Sequence, residues 1–171
     1  MNKRKSEVYA RALFELDSGS EFLKNLNFFS NIFIEKKSFS FFLSLGIPLS
    51  EKKKFLIESL KKAPSLLKNF FLVLLDNKGF SFLPEIVKIY QDLLDDKNKI
   101  CRGLIFSPQK PSQKEKEQIE KLLGKFFNKT VVLEAKEDKK LIAGFLVSAG
   151  GYMFKGTSAQ YLRNFEKLGG L

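Results

Sequence analysis

The chain has 171 residues, 44% of them hydrophobic, including nineteen Phe but no Trp and no His. Enough apolar side chains are present to build one ordinary core or two small ones, which excludes a disordered chain. The 30 basic and 19 acidic residues leave a net charge of +11, and the single cysteine of the chain argues against an internal disulfide and, with no histidine, against a transition-metal centre.

The basic excess is +6 over residues 1–105 and +5 over 106–171, so no basic tail marks a nucleic-acid arm. Only four of the bases are arginine. "MNKRKSEVYA" is basic, but no long apolar stretch follows it. The uncharged run "SFSFFLSLGIPLS" (38–50) is too short to span a bilayer and holds a proline. The expectation is a soluble cytoplasmic protein that can still be attached to a membrane assembly.

The first hundred residues predict six helices. Tyr9, Ala12, Leu13 and Leu16 share a face of the first, and Phe22, Leu26, Phe29 and Phe33 share one of the second. "DSGS" (17–20) separates them, with Ser20 as candidate N-cap. "SFSFFLSL" is a short third helix ended by Gly46. "SEKKKFLIESLKKA" (50–63) is the fourth, with Phe55, Leu56 and Leu60 inward and Pro64 as its stop. "SLLKNFFLVLLDNKG" (65–79) is apolar almost all round and reads as the central helix, terminated by Gly79. Pro84 suits the first turn of "PEIVKIYQDLLDD", with Ile86, Ile89, Tyr90 and Leu93 inward.

The character changes near "DDKNK" (95–99), which sets a boundary between a helical domain, 1–97, and a small second domain, 98–171. "ICRGLIFS" (100–107) predicts a strand. Ser112 and Glu115 form an S-x-x-E capping box opening "QKEKEQIEKLLGKFF", with Ile119, Leu122, Leu123 and Phe126 inward. "TVVLEA" (130–135), "LIAGFLVS" (141–148) and "GYMFK" (151–155) predict three further strands, and "TSAQYLRNFEKL" a last helix capped by Thr157 or Ser158. The fold class is therefore α+β: a six-helix bundle, then a β-α-β-β-β-α domain with a mixed sheet.

Chemistry is sparse. Gly151 and Gly156 stand five apart before Thr157 and Ser158, close to the phosphate-loop pattern G-x-x-x-x-G-K-[ST]. The lysine, Lys155, comes before the second glycine, where it cannot play the phosphate-loop role. A hairpin at Gly150-Gly151 is the simpler reading, with Gly156 turning the chain toward the last helix and Gly144 inside a strand marking a bulge or close approach. Glu115, Glu117 and Glu120 interleave with lysines as a solvated helix face, while Asp95-Asp96 and Glu137-Asp138 read as turn residues. No nucleophile, acid–base pair or cofactor motif is visible, so a binding or structural protein is expected, with no cofactor.

Three segments carry a resemblance: "YARALFEL" (9–16), "NFFLVLLDNKGFSFLPEIVKIYQDLLD" (69–95) and "KEDKKLIAGFLVSAGGYMFKGTSAQYLRNFEKL" (136–168). Their order and spacing resemble the delta subunit of the F-type ATP synthase, whose mitochondrial counterpart is the oligomycin-sensitivity-conferring protein. The most specific pieces are Tyr9-Ala10-x-Ala12-Leu13, Leu83-Pro84, and Ile142-Ala143-Gly144 followed by the glycine hairpin. Two positions depart from the family pattern. Lys155 stands where an aspartate is usual, and Gly79 where an arginine is, so ion pairs built on those residues in relatives are not carried over.

The resemblance implies a stator: a non-catalytic subunit on top of the catalytic head that joins it to the peripheral stalk and keeps it from turning with the rotor. It implies a helical domain that grips the N-termini of the alpha subunits and a second domain that holds the end of the b subunit, and it allows contact with beta. The location implied is the cytoplasmic face of a bacterial inner membrane, peripheral and through the complex. On the first and fifth helices, Tyr9, Ala10, Ala12, Leu13, Phe70, Phe71 and Leu74 are the candidate alpha-binding residues. Small residues such as Ala10 and Ala12 let a partner helix approach, and serve equally for packing within the bundle. The alternative class is a basic RNA-binding adaptor, which predicts sheet aromatics interleaved with lysines. The mostly aliphatic strands argue against it.

Overall fold

The structure is a computed structural model that describes residues 2–156. It is an α+β chain whose described residues form seven α-helices and a four-stranded mixed sheet. Two compact units divide it, Met1–Leu94 and Asp95–Leu171. The expected last helix, 157–168, lies outside the described residues.

In the first unit, α1 (Asn2–Leu16), α2 (Ser20–Ile34), α3 (Lys36–Leu43), α4 (Leu49–Ser59), α5 (Ser65–Asp76) and α6 (Leu83–Lys97) follow one another, with a 3-10 turn at Phe80–Phe82 before α6. One apolar core draws on all of them. Its centre is aromatic: Phe33 meets Phe42, Phe71 and Phe80 edge-on or nearly so, and Phe42 stacks on Phe80 at 4.2 Å between ring centroids. Such offset and edge-to-face contacts add to the area that the rings bury.

The helix ends show how local chemistry sets boundaries. α2 is capped by Gly19 with no side-chain bond, and Ser20 is its first helical residue. The fold places α3 two residues earlier than expected at both ends, its C-terminal carbonyls met by Lys52 of α4: Nζ donates to Phe42 O (2.9 Å) and Ser44 O (2.5 Å). At the end of α5 the left-handed residue is Lys78 (φ 54°), not Gly79 (φ −92°). Lys78 N bonds Leu75 O (3.0 Å) and Gly79 N bonds Leu74 O (2.7 Å), which is the paired pattern that closes a helix C-terminus. A Cβ at 79 would lie 2.8 Å from Leu74 Cδ1, so a larger residue there needs the Leu74 side chain to shift.

Some inward assignments shift. On α1 the buried positions are Ser6, Ala10 and Leu13, while Leu16 is exposed. On α4, Leu56 and Leu60 are buried but Phe55 is partly exposed, its ring resting on Phe41 and Phe42. On α6, Ile86, Tyr90 and Leu94 are buried, with Ile89 and Leu93 packed at the margin. Asp95 and Asp96 belong to the last turns of α6 rather than to a turn. Asp95 accepts two bonds from Arg102 (2.6 and 3.1 Å), and Asp96 pairs with Lys129 (3.3 Å).

In the second unit, β1 (Ile100–Ser107), α7 (Gln113–Phe127), β2 (Thr130–Glu137), β3 (Phe145–Ala149) and β4 (Tyr152–Gly156) give the sheet order β2-β1-β3-β4. β1 and β2 are parallel, joined through α7; β1–β3 and β3–β4 are antiparallel. Ile105, Val131, Leu133 and Val147 form the core with Ile119 and Leu123 of α7. The capping box holds: Ser112 Oγ accepts from Glu115 N (3.3 Å), and Glu115 Oε2 accepts from Ser112 N (3.0 Å). Phe126 is partly exposed rather than inward, whereas Phe127 packs against the core.

Residues 141–144 are not strand. Ile142 is fully exposed and Gly144 has φ 83°, so Gly144 is a loop residue needing the left-handed region, not a bulge within a strand.

Candidate functional site

The glycine pair at 150–151 decides the phosphate-loop question. Gly150 (φ 58°) and Gly151 (φ 81°) are the two central residues of a hairpin whose flanks, Ala149 and Tyr152, pair directly. Two positive φ values in a two-residue loop are what a type I′ turn demands. Phe127 closes over Gly150, where a Cβ would meet its ring at 2.7 Å. Gly156 pairs with Phe145 at the end of the same ladder, and Lys155 is an exposed strand residue opposite Leu146. The backbone of 152–156 is thus extended along β3 as an edge strand, not curled into a phosphate cradle.

The acidic residues of α7 are structural. Glu115 closes the capping box, and its carboxyl is held below the usual range by the Ser112 hydroxyl first and the Ser112 backbone N–H second. Glu117 accepts from Gln113 (2.8 Å). Glu120 is less exposed than a solvated face implies: it pairs with Lys116 (3.6 Å) and accepts from the Leu133 backbone N–H (2.8 Å), occupying a donor on the outer edge of β2. Among the described residues no cluster of three or more His, Cys, Asp or Glu could hold a metal.

The candidate partner-binding residues separate into two groups. Ala10, Leu13, Phe70, Phe71 and Leu74 lie inside the helical core, so the two small-residue readings resolve differently along α1: Ala10 packs within the unit. Ala12 is exposed and Tyr9 half-buried. The outward stripe of α1 is Val8, Ala12 and Leu16, spaced i, i+4, i+8, and α5 turns Val73 outward. Leu16 was expected on the inner face with Tyr9, Ala12 and Leu13, and Val8 and Val73 were assigned to neither face. The spacing itself was available: Ser6-Ala10-Leu13 and Val8-Ala12-Leu16 are two distinct faces, and the inner one is disguised by a serine. Ser6 Oγ donates to Glu85 of α6 at 2.6 Å, which satisfies that hydroxyl in the interior.

Behind this surface, Tyr90 is buried against Phe14 and Phe22 and donates its hydroxyl to Asp17 O at 2.5 Å. Burial first, and the Asp17 charge second, push the phenol up to about 12.

On the sheet, Tyr152 and Phe154 gather with Phe126 and Phe127 of α7 into one aromatic group. The strand alternation places Leu104, Phe106, Leu146, Val132 and Met153 on the opposite face together with Arg102, Glu134, Lys136 and Lys155, so that face carries a single aromatic residue, Phe106, among aliphatic and charged ones. Stacking of nucleic-acid bases calls for a series of exposed rings, which this face does not offer.

Residues 6–168 match the family of ATP synthase delta (OSCP) subunits. The chain is 34% identical over 157 residues to the ATP synthase subunit delta of Clostridioides difficile, covering 87% of this chain and 86% of that one. It is 31% identical over 165 residues to the subunit of the same name from Leptospira borgpetersenii, covering 95% and 89%. With that of Aquifex aeolicus the identity is 30% over 135 residues, covering 77% and 74%. In fold, it is similar to a chain in the cryo-EM structure of the Toxoplasma gondii mitochondrial ATP synthase hexamer, with a TM-score of 0.65 over 95% of this chain and 96% of that one, at 16% identity.

Proposed function

Because this chain belongs to the ATP synthase delta (OSCP) subunit family, we propose that it is a non-catalytic stator subunit of an F-type ATP synthase, joining the catalytic head to the membrane sector through the b subunits. The observation that carries this reading is the family match from residue 6 to residue 168, which spans both units. The helices of the first unit, read as one six-helix bundle, receive alpha-subunit N-termini; the sheet unit receives the end of b. Attachment is peripheral, on the cytoplasmic face of a bacterial inner membrane. In support, no helix among the described residues is long and apolar enough to cross a membrane.

A stator joint needs slow dissociation rather than chemistry. An amphipathic helix laid along an apolar stripe supplies it, with small residues permitting close approach. We place the alpha peptide on the outward stripe of α1, at Val8, Ala12 and Leu16, with Val73 of α5; half-buried Tyr9 flanks it, and Ala10, Leu13, Phe70, Phe71 and Leu74 support it from within. A nanomolar joint requires about 12 kcal/mol of net binding free energy. An interface of ordinary size with a few apolar anchors reaches that.

The test is a titration of the intact chain with a peptide from the alpha subunit's N-terminus, at low and high salt. Tight binding with modest salt dependence is expected. Ala12→Glu should weaken it at least roughly tenfold, or about 1.4 kcal/mol. Ala10 is unsuitable for this purpose, because a charge there would enter the core. Tight binding of a mixed RNA oligomer at physiological salt, with a steep salt slope and no peptide binding, would replace the stator reading with the adaptor one.

A further inference from the structure

A pocket of about 330 Å³ opens where α3 hands over to α4, near the end of α5. Its size falls at the lower end of ordinary small-molecule sites, about 300 Å³ upward. Leu43, Leu45, Ile47 and Leu49 form its walls, with the stacked Phe42 and Phe80 rings among its lining. Leu43, Leu45 and Leu49 are exposed, Leu45 to 96%, so this loop holds aliphatic side chains out to water around a cavity.

One polar group in the lining stands out. Lys52 is 8% exposed, yet its ammonium has only the Phe42 and Ser44 carbonyls as partners, and among the described residues no carboxylate forms an ion pair with it. Two carbonyls take two of its three N–H bonds and leave its charge without a counter-ion. Asp76, also in the lining, is engaged by Lys53 at 2.6 Å, while Lys78 adds a second, exposed cation. A buried charge is costly unless paired, so the site is built to gain from a monoanion. A single remaining N–H in apolar surroundings suits a carboxylate better than a doubly charged phosphate.

We propose that this pocket binds a free aliphatic monocarboxylate of fatty-acid type, its tail among the leucines and its carboxylate on Lys52 Nζ. This stands independently of the stator reading.

The test uses the intact chain and sodium decanoate below its micelle concentration, followed by methyl and amide NMR. Decanol and acetate are the controls. Saturable shifts confined to residues 42–52 and 75–80 are expected, with decanol roughly tenfold weaker for want of the charged hydrogen bond, and acetate weaker still. Lys52→Met should erase the preference for decanoate over decanol. Since Lys52 also caps α3, Leu49→Asp is the second variant. Residue 49 is exposed and opens a helix, where a negative charge is tolerated, and decanoate binding should be lost with the fold intact. Equal binding of decanol and decanoate, or no saturable shift in the pocket, overturns the proposal. So does tight binding of a peptide ending in a leucine carboxylate when decanoate fails, which would assign the pocket to a partner chain's end. Self-association through the same residues would assign it to a second copy.

Discussion

In the helical unit, rings do the positioning: Phe33 alone touches three other phenylalanines, and helix directions follow from how those rings nest. In the sheet unit, hydrogen-bonded registers position the backbone first, and a much smaller apolar set fills one face beneath α7. A helix satisfies its own backbone and is free to shift against its neighbours, so its place depends on side-chain volume. A strand shares its backbone bonds, so its place depends on close approach and turn geometry. The first kind of unit should be most sensitive to lost volume and the second to added volume.

The largest expected effect follows from the first half of that contrast. Phe33→Ala should destabilise the helical unit by about 3–5 kcal/mol, through lost transfer free energy and the cavity left behind. Hydrogen exchange should quicken across α2, α5 and the 3-10 turn, with β1 amides keeping their rates; equal loss in β1 would break the contrast.

Gly103→Ala is the complementary change. A Cβ at 103 would lie 2.5 Å from Ser148 O, 2.7 Å from Ala149 Cβ and 2.9 Å from Leu133 Cδ2, two of them on the neighbouring strand β3. Nothing flexible can yield at a carbonyl, so a loss of about 1–3 kcal/mol is expected in urea unfolding followed on the sheet unit. A neutral result would show that the sheet breathes more easily than the helical core.

Tyr90 gives the helical unit a pH limit. Its phenol is held at about 12 in the folded state against 10.0 unpaired, so the folded chain favours the neutral form. The contribution is whole below pH 10.0 and is lost as pH rises toward about 12. Thermal melts of the parent should fall across that window, and those of Tyr90→Phe should fall less, from a starting stability lower by about 1 kcal/mol for the lost bond to Asp17 O. Parallel declines would assign the alkaline loss to other groups.

The smallest effect belongs to the sheet unit. Ser112→Ala removes the cap of α7 and should cost about 1 kcal/mol, read from urea midpoints. Glu115 is depressed by that same serine, so its share is present above the ordinary carboxylate range and fades as pH falls through its lowered value. The Ser112→Ala variant should therefore lose less stability on acidification than the parent.

The amino-acid sequence by itself determined the elements whose cause is local. β1 spans 100–107 as the alternation indicates, α7 begins at its capping box, and Gly150-Gly151 make a hairpin because two adjacent residues take positive φ. Family membership was likewise legible, from short motifs in a fixed order. Tertiary structure decided which side of each helix faces inward. Leu16, Phe55 and Phe126 were expected inside and are exposed, because an apolar residue one position round the helix serves either face and only the neighbours choose. It also decided that Ala10 is interior while Ala12 is surface, and that Lys52 turns inward to meet the carbonyls ending α3. A charge enters a core where backbone acceptors wait for it, here the carbonyls of Phe42 and Ser44 at the end of the preceding helix, and the chain's bend that brings them to Lys52 is set by packing rather than by residue pattern.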